Sequence, residues 1–265
     1  MNSKNSIDSI NSVNWTFMRL YIIALQFLTI IPLPFSVRCE KEDLGRSLAV
    51  FPLAGLTIGC LLAGLSWLIS PWLPRSLADA LLITFLSLIT GALHLDGLAD
   101  VCDGIAARGG RERFLAVMKD SRVGAVGVVG LVLGLLLKWQ ALVAVPVAIK
   151  WQALLLFPIL ARLSQVQTVV FSRNARQEGL GTAFIAGAGV PHLAIAAGLT
   201  LAAAFLLLDI RGLIVLAVTY LFTWLAKAWF HRRLDGVTGD VVGCISELNE
   251  ILALVLISAL PLPTP

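Results

Sequence analysis

Charged residues are scarce in this chain, where Asp, Glu, Lys and Arg make up only 14% of 265 residues. Soluble globular proteins carry about 25%, so the composition excludes an ordinary soluble domain. Hydrophobic residues reach 58% and occur in continuous runs rather than in alternation, which excludes a transmembrane β-barrel. We therefore predict an all-α, polytopic membrane protein, with residues 1–265 as a single domain and residues 1–14 as its polar N-terminal tail.

Cysteine is also scarce, and the usual targeting signals are missing. Cys39, Cys60, Cys102 and Cys244 show neither metal-ligand spacing nor a paired pattern, so we expect reduced, structural thiols. Residues 1–14 lack the regions of a signal peptide, which predicts that the chain is held in the bilayer by its own spans. The net charge of +4 does not indicate nucleic-acid binding, because excess Lys and Arg in membrane proteins mostly record topology.

The apolar runs predict about seven spanning or re-entrant helices. A first run that contains Arg19 and Gln26 is expected to lie in the interface or to re-enter. Two copies of Lys-Trp-Gln, at 138–140 and 150–152, are predicted to form the turn of a short hairpin. The runs lie at Trp15–Pro34, Ser47–Leu73, Leu77–Leu93, Val123–Leu137, Ala141–Leu160, His192–Leu208, Gly212–Phe230 and Ile251–Leu260, the last extending back towards Val241.

Basic residues are distributed unequally between the two sides of the predicted bundle. If each intervening pair of helices is a hairpin, the polar connections 35–46, 94–122, 162–190 and 231–247 share one side and hold most of the Lys and Arg residues. The positive-inside rule then predicts that this side faces the cytoplasm. Asp79 and Asp209 fall on the opposite side, and we expect both to tolerate substitution.

A dense polar cluster follows the third apolar run, at residues 94–108. Asp96, Asp100 and Asp103 are spaced four and three residues apart, which places them on one helical face. Three neighbouring carboxylates repel one another unless a cation is bound, and oxygen ligands suit Mg²⁺, with Mn²⁺ as a substitute. We therefore predict a metal site here, with His94 as a candidate base or phosphate ligand. The alternative is a solvated acidic helix end.

The next connection joins charged residues to a glycine-rich helix start. Lys119, Asp120 and Arg122 precede Gly124 and Gly127. Backbone N–H groups at a helix start, flanked by cations, can bind phosphate, so we predict a phosphate cradle beside the metal site. Metal and cradle together indicate phosphoryl transfer. The candidate catalytic residues are His94, Asp96, Lys119, Asp120 and Arg122.

Basic residues on the same side are candidates for substrate binding. Arg162 lies between apolar stretches, where an arginine is energetically costly and often functional, although it could also extend to the interface. The loop 171–182 is basic and contains glycine, which suits an anionic substrate, or else it is a solvated basic face. The candidates are Arg46, Arg162, Arg173, Arg176 and Glu178.

A second acidic set precedes the last apolar run. Asp240, Glu247 and Glu250 are seven and three residues apart, again on one helical face. Carboxylates that enter a membrane helix are costly unless they are paired or bind metal, so we include all three as candidate metal ligands. A solvated helix start is the alternative.

Several of these segments resemble the cobalamin synthase family, the adenosylcobinamide-GDP ribazoletransferases. The resemblance covers nearly the whole chain, and two runs, His94–Asp100 and Met118–Ala125, are specific. The others are Phe27–Pro34, Phe51–Gly55, Asp103–Gly104, Glu178–Gly181 and Thr238–Asp240. The resemblance implies a magnesium-dependent enzyme of the bacterial cytoplasmic membrane with its active site facing the cytoplasm. It implies transfer of cobinamide phosphate from adenosylcobinamide-GDP to α-ribazole or α-ribazole 5′-phosphate, with release of GMP. The oligomeric state is left open, a homo-oligomer included.

Two other functions are weighed against this one. Asp100–Arg108 matches the first half of the CDP-alcohol phosphotransferase motif, D-x2-D-G-x2-A-R. The second half requires Gly, Asp and Asp where this chain has Val117, Ser121 and Ala125. A transporter is the other alternative, but transport sites lie near the bilayer midplane, whereas the acidic residues here lie at helix ends.

Overall fold

The chain is all-α, as predicted. The computed structural model describes residues 3–33, 37, 39–176 and 180–260. Within these residues, β-structure is limited to an isolated bridge between Asn174 and Val237. The helices are α1 Ser3–Leu28, α2 Lys41–Ser47, α3 Phe51–Ile69, α4 Arg75–Ile89, α5 Leu93–Ala106, α6 Arg111–Val117, α7 Ala125–Ala144, α8 Lys150–Val169, α9 Leu180–Gly187, α10 Val190–Leu234 and α11 Gly239–Ala259, with 3-10 turns at Leu48–Val50 and Val147–Ile149.

Five helical segments of the described chain are long and apolar enough to cross a membrane. They are Glu42–Ile69, Ala125–Ala144, Val147–Val169, Val190–Leu234 and Gly239–Ala259, and α4 with α5 forms a sixth if that bent pair counts as one span. This confirms the prediction of a polytopic membrane protein. The apolar part of α1, Trp15–Leu28, is shorter than these spans.

The helix α8 lies at the centre of the bundle, where nearly every residue from Ala153 to Val169 is buried. Its close packing against α3 depends on two glycines four residues apart. A side chain at Gly55 would come within 2.7 Å of the Pro158 carbonyl oxygen, and one at Gly59 within 2.8 Å of the Leu154 carbonyl oxygen. Small residues at this spacing let membrane helices approach closely without a hydrophobic driving force.

The helices α4 and α5 meet at an angle of 89°. Gly91 and Ala92 both have left-handed backbone conformations, with φ of 60° and 54°, which ends α4 and redirects the chain. The amide of Ile30 donates to the Ile89 carbonyl at 2.8 Å and ties the end of α1 to this corner. As a result α5, which carries the first aspartate cluster, turns sharply away from the axis of α4.

The predicted hairpin turn at residues 138–140 is wrong. Helix α7 continues through it to Ala144, and the turn lies at residues 145–149. Lys138 is buried rather than interfacial, because it pairs with two carboxylates of α11. The predicted runs His192–Leu208 and Gly212–Phe230 become the two parts of α10, separated by non-helical backbone at Leu208 and Asp209.

Three of the polar connections meet at one end of the bundle. Arg111 donates to the carbonyl oxygens of Leu234 at 2.7 Å and Ala175 at 2.8 Å. Arg233 donates to the Gly109 carbonyl at 2.9 Å. These bonds join the segments before α6, after α8 and after α10, so side chains from distant parts of the sequence share one end of the molecule.

Candidate active site

A cavity of about 280 Å³ opens among these connections. Its polar wall is formed by α5, α8, α11 and the segment after α8, which contribute His94, Asp96, Gln165, Arg176 and Asp240. A cavity that combines apolar walls with a few convergent polar groups is the usual form of a small-molecule site. This cavity is therefore the candidate active site.

The two acidic sets reach the cavity because α5 and α11 pack with almost no space between them. A side chain at Gly97 would lie 2.5 Å from the Asp240 carbonyl oxygen, so only glycine permits this contact. Asp96 and Asp240 both line the cavity. Asp100 lies within electrostatic range of Asp96, Asp240 and Asp103. The packing thus brings carboxylates from both predicted sets close together. Among the described residues, however, no group of three or more His, Cys, Asp or Glu side chains has the geometry to hold a metal ion by itself.

Arg176 is the basic residue that the structure places in the cavity. It pairs with Asp240 at 2.9 Å, and its Nη2 atom is buried without a hydrogen-bond partner among the described residues. The segment that carries it is held by the Asn174–Val237 bridge and by the Ala175 amide, which donates to the Val237 carbonyl at 2.9 Å. A partly exposed guanidinium with one buried, free donor is suited to an anionic ligand.

His94 is buried at the inner end of the polar wall. The Gln165 amide nitrogen lies 2.8 Å from His94 Nε2 and 2.8 Å from the Ser246 hydroxyl. His94 Nε2 is thus engaged by Gln165 and is poorly placed to remove a proton from a substrate.

Asp103 has a structural role that the spacing did not predict. Its carboxylate accepts hydrogen bonds from the backbone amides of Gly124 and Gly127, both at 2.7 Å. Side chains at either glycine would collide with this carboxylate. The anion at the start of α7 is therefore Asp103, in the position where the glycine-rich sequence predicted a phosphate.

Lys119, Asp120 and Arg122 lie at the surface beside this helix start and do not line the cavity. Arg122 donates to both carboxylate oxygens of Asp120, at 3.0 and 2.8 Å, and is 87% exposed. These hydrogen bonds lower the pKa of the Asp120 carboxyl to about 2, which keeps the pair charged at neutral pH. The predicted catalytic residues are thus divided between the cavity and a separate surface.

Glu247 and Glu250 belong to a buried ion-pair cluster rather than to the cavity wall. The Lys138 ammonium contacts both carboxylates, Glu250 at 2.7 Å, and Arg162 lies 3.4 Å from Glu250. All four side chains are almost completely buried. Lysine therefore supplies the cation that the sequence assigned to a metal, and Arg162, predicted to bind substrate, instead pairs with Glu250 and donates to the Ser246 hydroxyl at 3.1 Å.

The remaining predicted substrate residues do not line the cavity. Arg46 is exposed and lies 3.8 Å from Glu42 on its own helix. Arg173 is 80% exposed and lies 3.4 Å from Asp235. Glu178 falls outside the residues that the structure describes.

The sequence matches the family model for cobalamin-5-phosphate synthase over residues 20–258. The chain belongs to this family. No solved structure matches it.

Curated relatives match over nearly their whole length. An adenosylcobinamide-GDP ribazoletransferase of Geotalea daltonii is 65% identical over 243 residues, which cover 92% of this chain and 98% of the relative. The enzymes of the same name from Acetivibrio thermocellus and Thermoanaerobacter pseudethanolicus are 33% and 32% identical, and cover 91% and 88% of this chain. The family resemblance inferred from the sequence runs is confirmed.

Sequence reasoning overlooked several residues of this family member's site. Gln165 lies in the predicted connection 162–190 and Lys138 between two predicted runs, but the structure places both inside helices, where a polar residue is a sign of function or of pairing. Asn174 lines the cavity from the basic loop. Phe27, Phe51 and Phe184 line it from the apolar side, but an aromatic residue in an apolar run gives no signal that separates a cavity wall from the core.

Proposed function

We propose that this cavity is the site of the reaction for which the relatives are named. In that reaction cobinamide phosphate is transferred from adenosylcobinamide-GDP to α-ribazole or its 5′-phosphate. The acceptor hydroxyl attacks the phosphorus next to cobinamide, the bond from this phosphorus to the GMP oxygen breaks, and GMP leaves. The observation that carries the proposal is the meeting of Arg176, Asp96 and Asp240 in one cavity. A phosphate anchor beside carboxylates is the arrangement that metal-assisted phosphoryl transfer requires.

Arg176 would bind the pyrophosphate of the donor substrate. Its pairing with Asp240 fixes the guanidinium, and the unpartnered Nη2 leaves a donor for a phosphate oxygen. Arginine presents its donors in a planar fork that matches phosphate geometry. Since the atom is buried, a bond to an anion there would be stronger than the same bond in water.

The donor set fits Mg²⁺, which would be held by Asp96 and Asp240 with Asp100 beside them. Magnesium usually takes one or two protein carboxylates and completes its coordination with substrate phosphates and water, so a closed protein cage is not needed. When bound, the ion would neutralise the pyrophosphate and stabilise the departing GMP. Mn²⁺ accepts the same oxygen ligands. Glu247 and Glu250 are left out because Lys138 already neutralises them.

Proton removal from the acceptor is assigned to Asp96. His94 Nε2 is occupied by Gln165, whereas Asp96 is exposed and lines the cavity. An exposed carboxylate next to the reacting atoms can take the proton as the hydroxyl attacks. His94, which also lines the cavity, would then help to position substrate.

We further propose that the cavity faces the cytoplasm of a bacterial cell with the spans in its inner membrane. Most Lys and Arg residues lie in the connections that meet at the cavity end. A reporter fused after Arg113 should report the cytoplasm and one fused after Arg75 the periplasm. The opposite pattern would separate the cavity from nucleotide substrates and overturn this orientation.

The function is tested by supplying the purified protein in detergent with GDP-cobinamide, α-ribazole phosphate and Mg²⁺. GMP and cobalamin phosphate should appear in equal amounts. A parallel reaction with a CDP-alcohol should give no CMP. Turnover in detergent without a closed vesicle would also exclude transport. Product from the CDP-alcohol alone would contradict the proposed reaction and would favour a CDP-alcohol phosphotransferase activity.

A further inference from the structure

The cavity has a second wall, which the phosphate chemistry does not use. Phe27 from the end of α1, Phe51 from the start of α3 and Phe184 from α9 line it. Their rings form one cluster, with centroids 4.6 Å apart for Phe27 and Phe184 and 5.9 Å apart for Phe51 and Phe184. Leu48 and Val169 extend this wall with aliphatic surface. None of the described side chains in this aromatic wall has a group that could form a hydrogen bond with a flat base.

We propose that the aromatic wall binds the benzimidazole base of the ribazole acceptor, so that its ribose reaches the carboxylates of the polar wall. This assignment rests on the function proposed above. It adds a binding site for the acceptor substrate, which would be recognised through its apolar aromatic base rather than through a phosphate. The donor substrate would occupy the opposite side, at Arg176.

Guanine, the other flat group in the reaction, suits this wall poorly. Its edge carries several hydrogen-bond donors and acceptors, and each one buried without a partner weakens binding by about fivefold or more. A benzimidazole attached to ribose has only one free ring nitrogen, and the rest of the base is hydrocarbon. Apolar aromatic surface therefore favours the acceptor base over the donor base.

The geometry also makes one ring the best probe. Phe184 contacts both other rings of the wall, and it lies on a short helix that follows the segment carrying Arg176. Phe51 and Phe184 are 2% and 5% exposed, so a flat ligand would touch only the parts of these rings that border the cavity. Removing this ring should therefore weaken binding of a base without displacing the phosphate anchor.

The test compares Phe184→Ala and Phe184→Leu with Phe205→Ala, a control for loss of a phenylalanine ring at an exposed position of α10 that does not line the cavity. Loss of one base–aromatic contact weakens binding by about fivefold or more. Equilibrium dialysis with α-ribazole alone, in the absence of donor, measures this directly. Steady-state assays then give KM for acceptor and donor separately, and gel filtration shows whether each variant remains folded.

The expected result is weaker α-ribazole binding in Phe184→Ala, a smaller loss in Phe184→Leu, and an unchanged KM for GDP-cobinamide. A raised donor KM with normal ribazole binding would place guanine on the aromatic wall and overturn the assignment. Equal ribazole binding by wild type and both variants would also overturn it. If wild type binds α-ribazole through Phe184 but forms no product, the proposed reaction fails while the base site stands.

Discussion

Replacing Lys138 with methionine should destabilise the protein strongly. Lys138 and Arg162 balance Glu247 and Glu250, so the buried cluster is neutral, and each side chain is at most 3% exposed. Methionine keeps the length of the side chain but leaves a net negative charge in the interior. Removal of one partner from a buried ion pair costs about 3–5 kcal/mol, a large part of a typical stability of about 5–15 kcal/mol.

A second substitution separates lost charge balance from lost packing. Glu247 contacts Lys138, whereas Glu250 also pairs with Arg162. In Lys138→Met/Glu247→Gln the remaining Arg162–Glu250 pair is neutral again. The double variant should therefore recover at least half of the stability lost in the single variant, while one buried amide still needs a hydrogen-bond partner.

The assay is equilibrium denaturation in detergent, followed by circular dichroism, with turnover measured on the folded proteins. The double variant should keep the magnesium dependence of wild type. A Lys138→Met protein as stable as wild type, or a double variant less stable than the single one, would refute the charge-balance argument. If Mg²⁺ alone restored the stability of Lys138→Met, Glu247 and Glu250 would again be candidate metal ligands.

Three further predictions concern the cavity and its surroundings. Asp240→Asn should reduce turnover, with partial recovery at raised Mg²⁺ or with Mn²⁺, whereas Asp96→Asn should not recover because it also removes the proposed base; normal rates of either variant at low Mg²⁺ would contradict the proposed ligand set. Arg176→Ala should raise KM for GDP-cobinamide about tenfold or more, whereas exposed Arg173→Ala, the matched control, should not. Asp103→Ala should lower the free energy of unfolding by about 1–2 kcal/mol, measured by denaturation in detergent, because α7 loses its N-terminal cap. Unchanged stability would contradict the capping role of Asp103.

The sequence was sufficient to predict helices, the membrane class and the family. Continuous apolar runs can form only spanning or buried helices, because backbone groups in lipid must bond within their own segment. Helical spacing also placed Asp96 and Asp100 close together. It did not show that Asp103, on the same face, turns towards the amides of Gly124 and Gly127, since that contact depends on how α7 packs against α5.

Long-range pairing accounts for the main difference at the second acidic set. Asp240, Glu247 and Glu250 share a helical face, but only Asp240 lines the cavity. The partner of Glu247 lies 109 residues away in sequence, in a segment predicted as an interfacial turn. Carboxylate spacing cannot distinguish a metal ion from a lysine ammonium, because both satisfy the same charge. Asp79, expected to tolerate substitution, is likewise fully buried and pairs with Lys150 at 2.5 Å.

The two polar regions differ in whether their charges are already balanced, and this difference supports the proposed location of the chemistry. In the buried cluster, the charges of Lys138 and Arg162 balance those of Glu247 and Glu250. Among the described residues that line the cavity, Asp96 and Asp240 face the guanidinium of Arg176, and Asp100 lies within electrostatic range, so negative charge is in excess. A pyrophosphate would add to that excess. We therefore expect donor binding to need an additional cation between substrate and carboxylates, so the proposed activity should depend on Mg²⁺ through Asp96 and Asp240 and not through Glu247 and Glu250.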